Sequence, residues 1–256
     1  MLIDKYAYSN KFLNIHPFEK FLITALTLFL LLVLNSPMVS IFVLIINSGI
    51  LIYKAGIDQG FYLKLMLLPF SFLLMGTLSI AFNLISPHEK ALLSFSILSF
   101  NIGITKISFI QAYSLFLKAL SSVSCLYFLA LTTPLIDIIS VLKKFRLPEL
   151  FLELMGLIYR FIFILSNTAG AIYNSQDSRL GYFGIKNSFR SMGYLVSNLF
   201  IRAFNKSNQL FIALESRGYT GSINVLENEY KYNYKNIIII IFIESLILAI
   251  YLMLKK

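Results

Sequence analysis

The sequence predicts an all-α, polytopic membrane protein with about five transmembrane helices and a cytoplasmic pair of coupling helices. Three observations predict it. Of the 256 residues, 58% are hydrophobic, against roughly 45–50% in soluble domains, and the mean hydropathy is +0.78. The apolar residues gather into runs about as long as a bilayer-crossing helix. Between residues 143 and 235 the texture changes: 12 of the 22 Lys and Arg fall there, and Lys/Arg-rich segments flanking spans stay on the cytoplasmic side.

Taken in order, residues 3–20 are polar and aromatic, with three lysines, Lys5, Lys11 and Lys20, a cytoplasmic lead-in along the membrane surface. No small-residue cleavage site follows the first apolar run, so that run reads as a retained span rather than a signal peptide. The spans fall at 18–34, 38–53, 65–85, 107–131 and 237–254. Asn35-Ser36-Pro37 makes an uncharged outer turn between the first two. Pro69 and Gly76 are expected to kink the third, which packed spans tolerate. Residues 91–104 are apolar but broken by Asn101 and Gly103, and read as an interfacial or re-entrant piece. This divides the chain into N-terminal spans (1–133), a cytoplasmic or interfacial region (134–235) and a last span (236–256).

The middle region carries two helices. The first, 148–173, opens on Leu147-Pro148-Glu149, proline suiting a first helical turn; it is apolar but holds Glu153, Arg160 and Asn167, as a partly embedded helix would. Were it to span fully, Arg179 would lie outside, a reading the basic residues disfavour. In the second, Met192, Leu195, Val196, Leu199, Phe200, Ala203, Leu210, Phe211 and Leu214 recur at three-and-four spacing, the pattern of an amphipathic helix.

Chemistry-bearing constellations are sparse. The net charge of +10 belongs to the loops of a membrane protein and not to a nucleic-acid surface. The single Cys125 permits neither a disulfide framework nor a Cys cluster, and reads as a small buried hydrophobe. His16 and His88 have no metal-ligand spacing, so no metal site is expected. There is no Ser-His-Asp set and no GxxxxGK[ST], so the chain is read as a non-catalytic subunit that cannot hydrolyse ATP by the common route. Lys118 and Glu244 lie inside apolar spans. They could serve an ion path, but each is better expected to pair with a polar group in the bundle.

The informative stretch is 175–221. It holds Ser178-Arg179-Leu180-Gly181-Tyr182 and Ser216-Arg217-Gly218-Tyr219, each setting an arginine beside a glycine that can end a helix. One such phrase is ordinarily an arginine neutralising a helix C-terminus. Two, joined by an amphipathic helix, read as a docking surface: a planar, permanently charged fork suits a partner's carboxylates. The segment is expected to take mechanical work from a soluble partner and pass it into the membrane.

Several phrases are similar to one family. They are Ile3-Asp4-Lys5-Tyr6-Ala7-Tyr8-Ser9-Asn10, His16-Pro17, Leu147-Pro148-Glu149-Leu150, Tyr159-Arg160-Phe161-Ile162-Phe163, Leu199-Phe200-Ile201-Arg202, the first arginine phrase, and Ala213-Leu214-Glu215-Ser216-Arg217-Gly218-Tyr219. In these the chain resembles the transmembrane T component of energy-coupling factor (ECF) transporters, in the cobalt-type branch called CbiQ. The resemblance runs in the same order over nearly the whole chain; Ser216 departs from the Ala usual before the second Arg-Gly.

The resemblance implies a coupling subunit of an importer in the cell membrane. Two cytoplasmic ATP-binding-cassette ATPases would seat the motifs centred on Arg179 and Arg217, with Ser178, Gly181, Ser216 and Gly218, in their grooves. ATP and Mg would be held by those ATPases. A separate small membrane subunit would capture the metal, Co²⁺ for cobalamin synthesis or, in a similar branch, Ni²⁺, and the sequence does not choose between them. Two other classes stand against it. A stand-alone secondary transporter built on Glu244 and Lys118 would work without ATPases and show inverted repeats, and none are found. A membrane-embedded enzyme would need convergent catalytic groups, and none are visible.

Overall fold

The computed structural model describes residues 2–84, 91–97, 100–219, 230, 232 and 234–254. His88, Lys255, Lys256 and most of the polar linker at 222–236 lie outside them. The chain divides into two compact units, one made of Met1–Ile138 with Glu229–Lys256, the other of Ile139–Asn228.

The first unit opens with α1 (Leu2–Ser9) and holds, among its described residues, five helices long and apolar enough to cross a membrane. These are α2 (Pro17–Leu34), α3 (Pro37–Gly49, continued by a π-helical turn at Ile50–Lys54), α4 (Gln59–Ala81), α5 (Lys106–Thr132) and the last helix (Tyr234–Leu254). Local chemistry sets their ends. His16 Nδ1 accepts the Phe18 N–H at 3.0 Å and Pro17 opens α2, a capped start with proline where its missing N–H costs nothing. Asn35 ends α2 in the left-handed conformation, φ 47°, and Pro37 starts α3 at once. Asp58 caps α4, accepting from Phe61 N–H at 2.9 Å.

Helix α5 is the hub, packing against α1, α2, α3 and α4. Small residues on its buried face, Ser121, Ser124 and Cys125, let backbones approach closely, the usual way apolar spans associate without a hydrophobic driving force. Ser121 Oγ donates to Ser40 O on α3. The Cys125 thiol, 1% exposed, accepts from Asn47 Nδ2 at 3.1 Å and faces Thr27 Oγ1 at 3.7 Å. Helix α4 runs unbroken through Pro69. A proline there leaves the carbonyl four residues earlier without its helical donor, and that carbonyl, Leu65 O, takes the Tyr127 hydroxyl of α5 at 3.3 Å.

Two expectations are corrected. The third span lies at Gln59–Ala81 rather than 65–85, because Asp58, read as loop charge, caps the helix, while Phe82 is already extended. Residues 91–104 form no re-entrant helix. Strands β1 (Asn83–Leu84), β2 (Ala91–Ile97) and β3 (Phe100–Thr105) make a small antiparallel sheet in the order β1-β3-β2, with Phe95 opposite Ile102 and Ser96 opposite Asn101. The alternation Leu93-Ser94-Phe95-Ser96-Ile97 has a strand's period of two. Apart from this patch, the described residues fold as helices and turns.

The sequence boundary of the units falls within α6 (Leu135–Lys144), and the second unit holds α7 (Glu149–Asp177) and α8 (Ile185–Ser216); the last helix, Tyr234–Leu254, is α9. Gln176 Nε2 donates to Ser191 O at 3.1 Å at one end of the α7–α8 pair. Tyr219 OH donates to Glu153 Oε2 at 2.7 Å at the other. The two helices are therefore an antiparallel hairpin.

Candidate functional site

Both arginine phrases close a helix by the same hydrogen-bond pattern. At the end of α7, Gly181 N–H donates to Gln176 O (2.8 Å) and Leu180 N–H to Asp177 O (2.9 Å). At the end of α8, Tyr219 N–H donates to Leu214 O (3.0 Å) and Gly218 N–H to Glu215 O (3.0 Å). Each is the paired closure of a Schellman motif, with the arginine one position before the left-handed residue. Arg179 precedes Leu180 at φ 58°, and Arg217 precedes Gly218 at φ 75°. Geometrically Arg179 matches Arg217, whereas Gly181 matches Tyr219 and not Gly218.

The first corner is the more heavily tied. A Cβ on Gly181 would stand 2.8 Å from Gln176 O and 2.9 Å from Ser191 Oγ, so the position admits no side chain. Ser191 Oγ donates to Gly181 O at 2.7 Å, Tyr182 OH to Gln176 Oε1 at 2.8 Å, and Ser188 Oγ to Tyr182 O at 2.9 Å. At the second corner a Cβ on Gly218 would meet nothing. Its tie is Tyr219 to Glu153, and that carboxylate, accepting the phenol's hydrogen bond, pushes the Tyr219 pKa up.

Arg179 and Arg217 are both exposed. So are Ser178, Ser216 and Gly218, while Gly181 is partly covered. Ser178 Oγ and Ser216 Oγ donate back to Asn174 O and Ala213 O, one turn earlier, so neither serine is committed outward. Around Arg179 stand Leu180 at 71%, Phe183 at 76% and Ile185 at 80% exposure. The expected amphipathic face of α8 is likewise uncovered: Leu195 is its buried residue, and Val196 and Phe200 lie open. The hairpin separates the two corners by the length of α8, about 50 Å at 1.5 Å per residue.

The intramembrane charges differ from one another. Lys118 finds its expected partners, donating to Leu32 O (2.8 Å) and Asn35 Oδ1 (3.2 Å) at the C-terminal end of α2, where a cation suits the helix dipole. Glu244 does not. It is 8% exposed, and both carboxylate oxygens lack a hydrogen-bond partner among the described residues. The thiol within its electrostatic reach, Cys125, is already engaged by Asn47 and Thr27.

The chain matches the family described as Cobalt transport protein, CbiQ, over residues 9–230. The chain belongs to the CbiQ family. It is 30% identical to the cobalt transport protein CbiQ of Salmonella typhimurium over 87% of this chain and 99% of that one. It is 36% identical to a fused cobalt transport protein CbiMQ of Methanocorpusculum labreanum, over 71% of this chain and 31% of the longer fusion. It is also 28% identical to the energy-coupling factor transporter transmembrane protein EcfT of Streptococcus thermophilus, over 87% of this chain and 86% of that one. With five apolar helices of spanning length, the chain is a multi-pass membrane protein, the transmembrane component of an ECF-type transporter. Among its described residues no group of three or more His, Cys, Asp or Glu could hold a metal ion.

Sequence reasoning located both arginine phrases but missed the side-chain bonds that hold the two corners, made by Gln176, Ser191 and Tyr182 at the first and by Glu153 at the second. It also missed Lys20. Read as lead-in charge, Lys20 is 3% exposed and donates to Phe12 O (3.0 Å) and Thr132 O (2.9 Å).

Proposed function

We propose that this CbiQ-family chain is the coupling subunit of an ATP-driven cobalt importer. The second unit lies in the cytoplasm, as its basic residues favour, and two ATP-binding-cassette ATPases dock there, one on each arginine corner. ATP and Mg are held by those subunits, and a small membrane subunit captures Co²⁺. The observation that carries this reading is the repeated closure: two exposed arginines at the same capping position, at opposite ends of one hairpin, far enough apart for two partner grooves. The exposed apolar residues beside Arg179 give the partner at that corner a desolvated seat, in which a guanidinium–carboxylate pair is strongest.

Association pushes on the hairpin at both ends when the ATPases close and open on ATP. The helices pass that movement to the membrane helices, and the metal-binding subunit reorients against them. Cobalt rests on the names of the relatives, and nickel by the same device is the second reading. The test is to purify the tagged chain in mild detergent, identify co-purifying subunits and measure uptake of labelled Co²⁺ and Ni²⁺ in liposomes. An ATPase and a small membrane protein should come with it, and uptake should need ATP. The chain alone, transporting without ATP, would overturn the proposal.

A further inference from the structure

The chain passes between its two units twice, leaving the first unit after Ile138 and returning at Glu229. The residues just inside these crossings are bound to each other: Tyr230 OH donates to Asp137 Oδ2 at 2.8 Å. Asp137 is 6% exposed and, with Glu19, lies within electrostatic reach of the buried Lys20 ammonium. The returning segment is tied further to the start of α2. Tyr232 stacks on the His16 ring at 3.9 Å between centroids, 18° from parallel, and Asn236 Nδ2 donates to Glu19 Oε2 at 2.8 Å.

We infer that Asp137 and Tyr230 form a clasp that makes the two crossings move as one, so that displacement of the second unit is delivered jointly to α2, α6 and α9. Resting on the coupling role proposed above, the inference adds the place where movement enters the membrane bundle. A stressed pair of unclasped strands would separate, and each would yield before its helix moved. Buried and charge-assisted, the Asp137 contact is of the stronger kind of hydrogen bond, and Lys20, itself anchored on the carbonyls of Phe12 and Thr132, sets a positive charge within electrostatic reach of Asp137. Asp137 and Tyr230 are positioning residues: they touch neither ATP nor metal.

The test uses the full transporter in liposomes with Tyr230→Phe, which keeps the ring and removes only the donor, and with Asp137→Asn. Three quantities are read: ATPase co-purification, ATP hydrolysis and metal taken up per ATP hydrolysed. ATPase association and hydrolysis should stay at the native level while uptake per ATP falls about fivefold, the shift that loss of one buried hydrogen bond produces. Native uptake per ATP in Tyr230→Phe would overturn the clasp and leave the coupling role standing. A fall in association, hydrolysis and uptake together would also overturn it, by making the pair merely structural. If the unmodified chain recruits no ATPase, the coupling role fails, and the clasp with it.

Discussion

The two arginine corners look like copies in sequence and are built differently in space. Both end a helix with the same pair of hydrogen bonds, and both put arginine at the same capping position. At the α8 end glycine occupies the left-handed position, the residue that adopts it without a steric cost. At the α7 end Leu180 takes that conformation, and glycine stands one place later, where neighbouring atoms leave no room for a Cβ. What the repeat preserves is the placing of arginine. The glycines answer two separate local constraints, one torsional and one steric.

The comparison can be broken most severely at the arginines themselves. Arg179→Ala and Arg217→Glu should each weaken ATPase association, by about a hundredfold if a buried partner carboxylate is left unpaired, and the double variant should abolish uptake while the spans stay folded. Pull-down and uptake assays check this, and normal uptake by the double variant would mean the corners are not docking points. Next in size is Gly181→Ala, which must displace Gln176 O or Ser191 and should destabilise the α7 corner by about 2–3 kcal/mol. Hydrogen exchange of amides 176–183 in the full chain should show it as faster local opening. Gly218→Ala meets only the torsional cost, about 1 kcal/mol, seen as milder exchange at 214–219. The smallest effect sharpens the comparison by changing sign: Leu180→Gly relieves a left-handed leucine and should slow exchange slightly or leave it unchanged.

Much of the fold was legible because a span announces itself by length and composition alone. The helices at Pro17–Leu34, Lys106–Thr132 and Tyr234–Leu254 lie within three residues of where apolar runs put them. The third span was misplaced since a capping carboxylate and a loop carboxylate look alike until the helix is seen. The sheet was missed because apolar content near a membrane suggested an embedded segment, although Phe100-Asn101-Ile102-Gly103-Ile104-Thr105 alternates as β3 should. The arginines stood out by repetition. Their supports did not, because Tyr219 and Glu153 are 66 positions apart, and no local pattern pairs them. Lys20 was illegible for the same reason, its Thr132 acceptor being 112 positions away.

Cys125 has a practical consequence. Sealed between α2 and α3 at 1% exposure, it is out of reach of bulky thiol reagents in the folded subunit, and it is the one cysteine in the sequence. A cysteine introduced beside either corner, at Phe183 or Ser216 for example, would therefore carry a fluorophore or spin label with little background. The subunit comes close to ready for distance spectroscopy, in which labels at the two ends of the hairpin would report its motion during turnover.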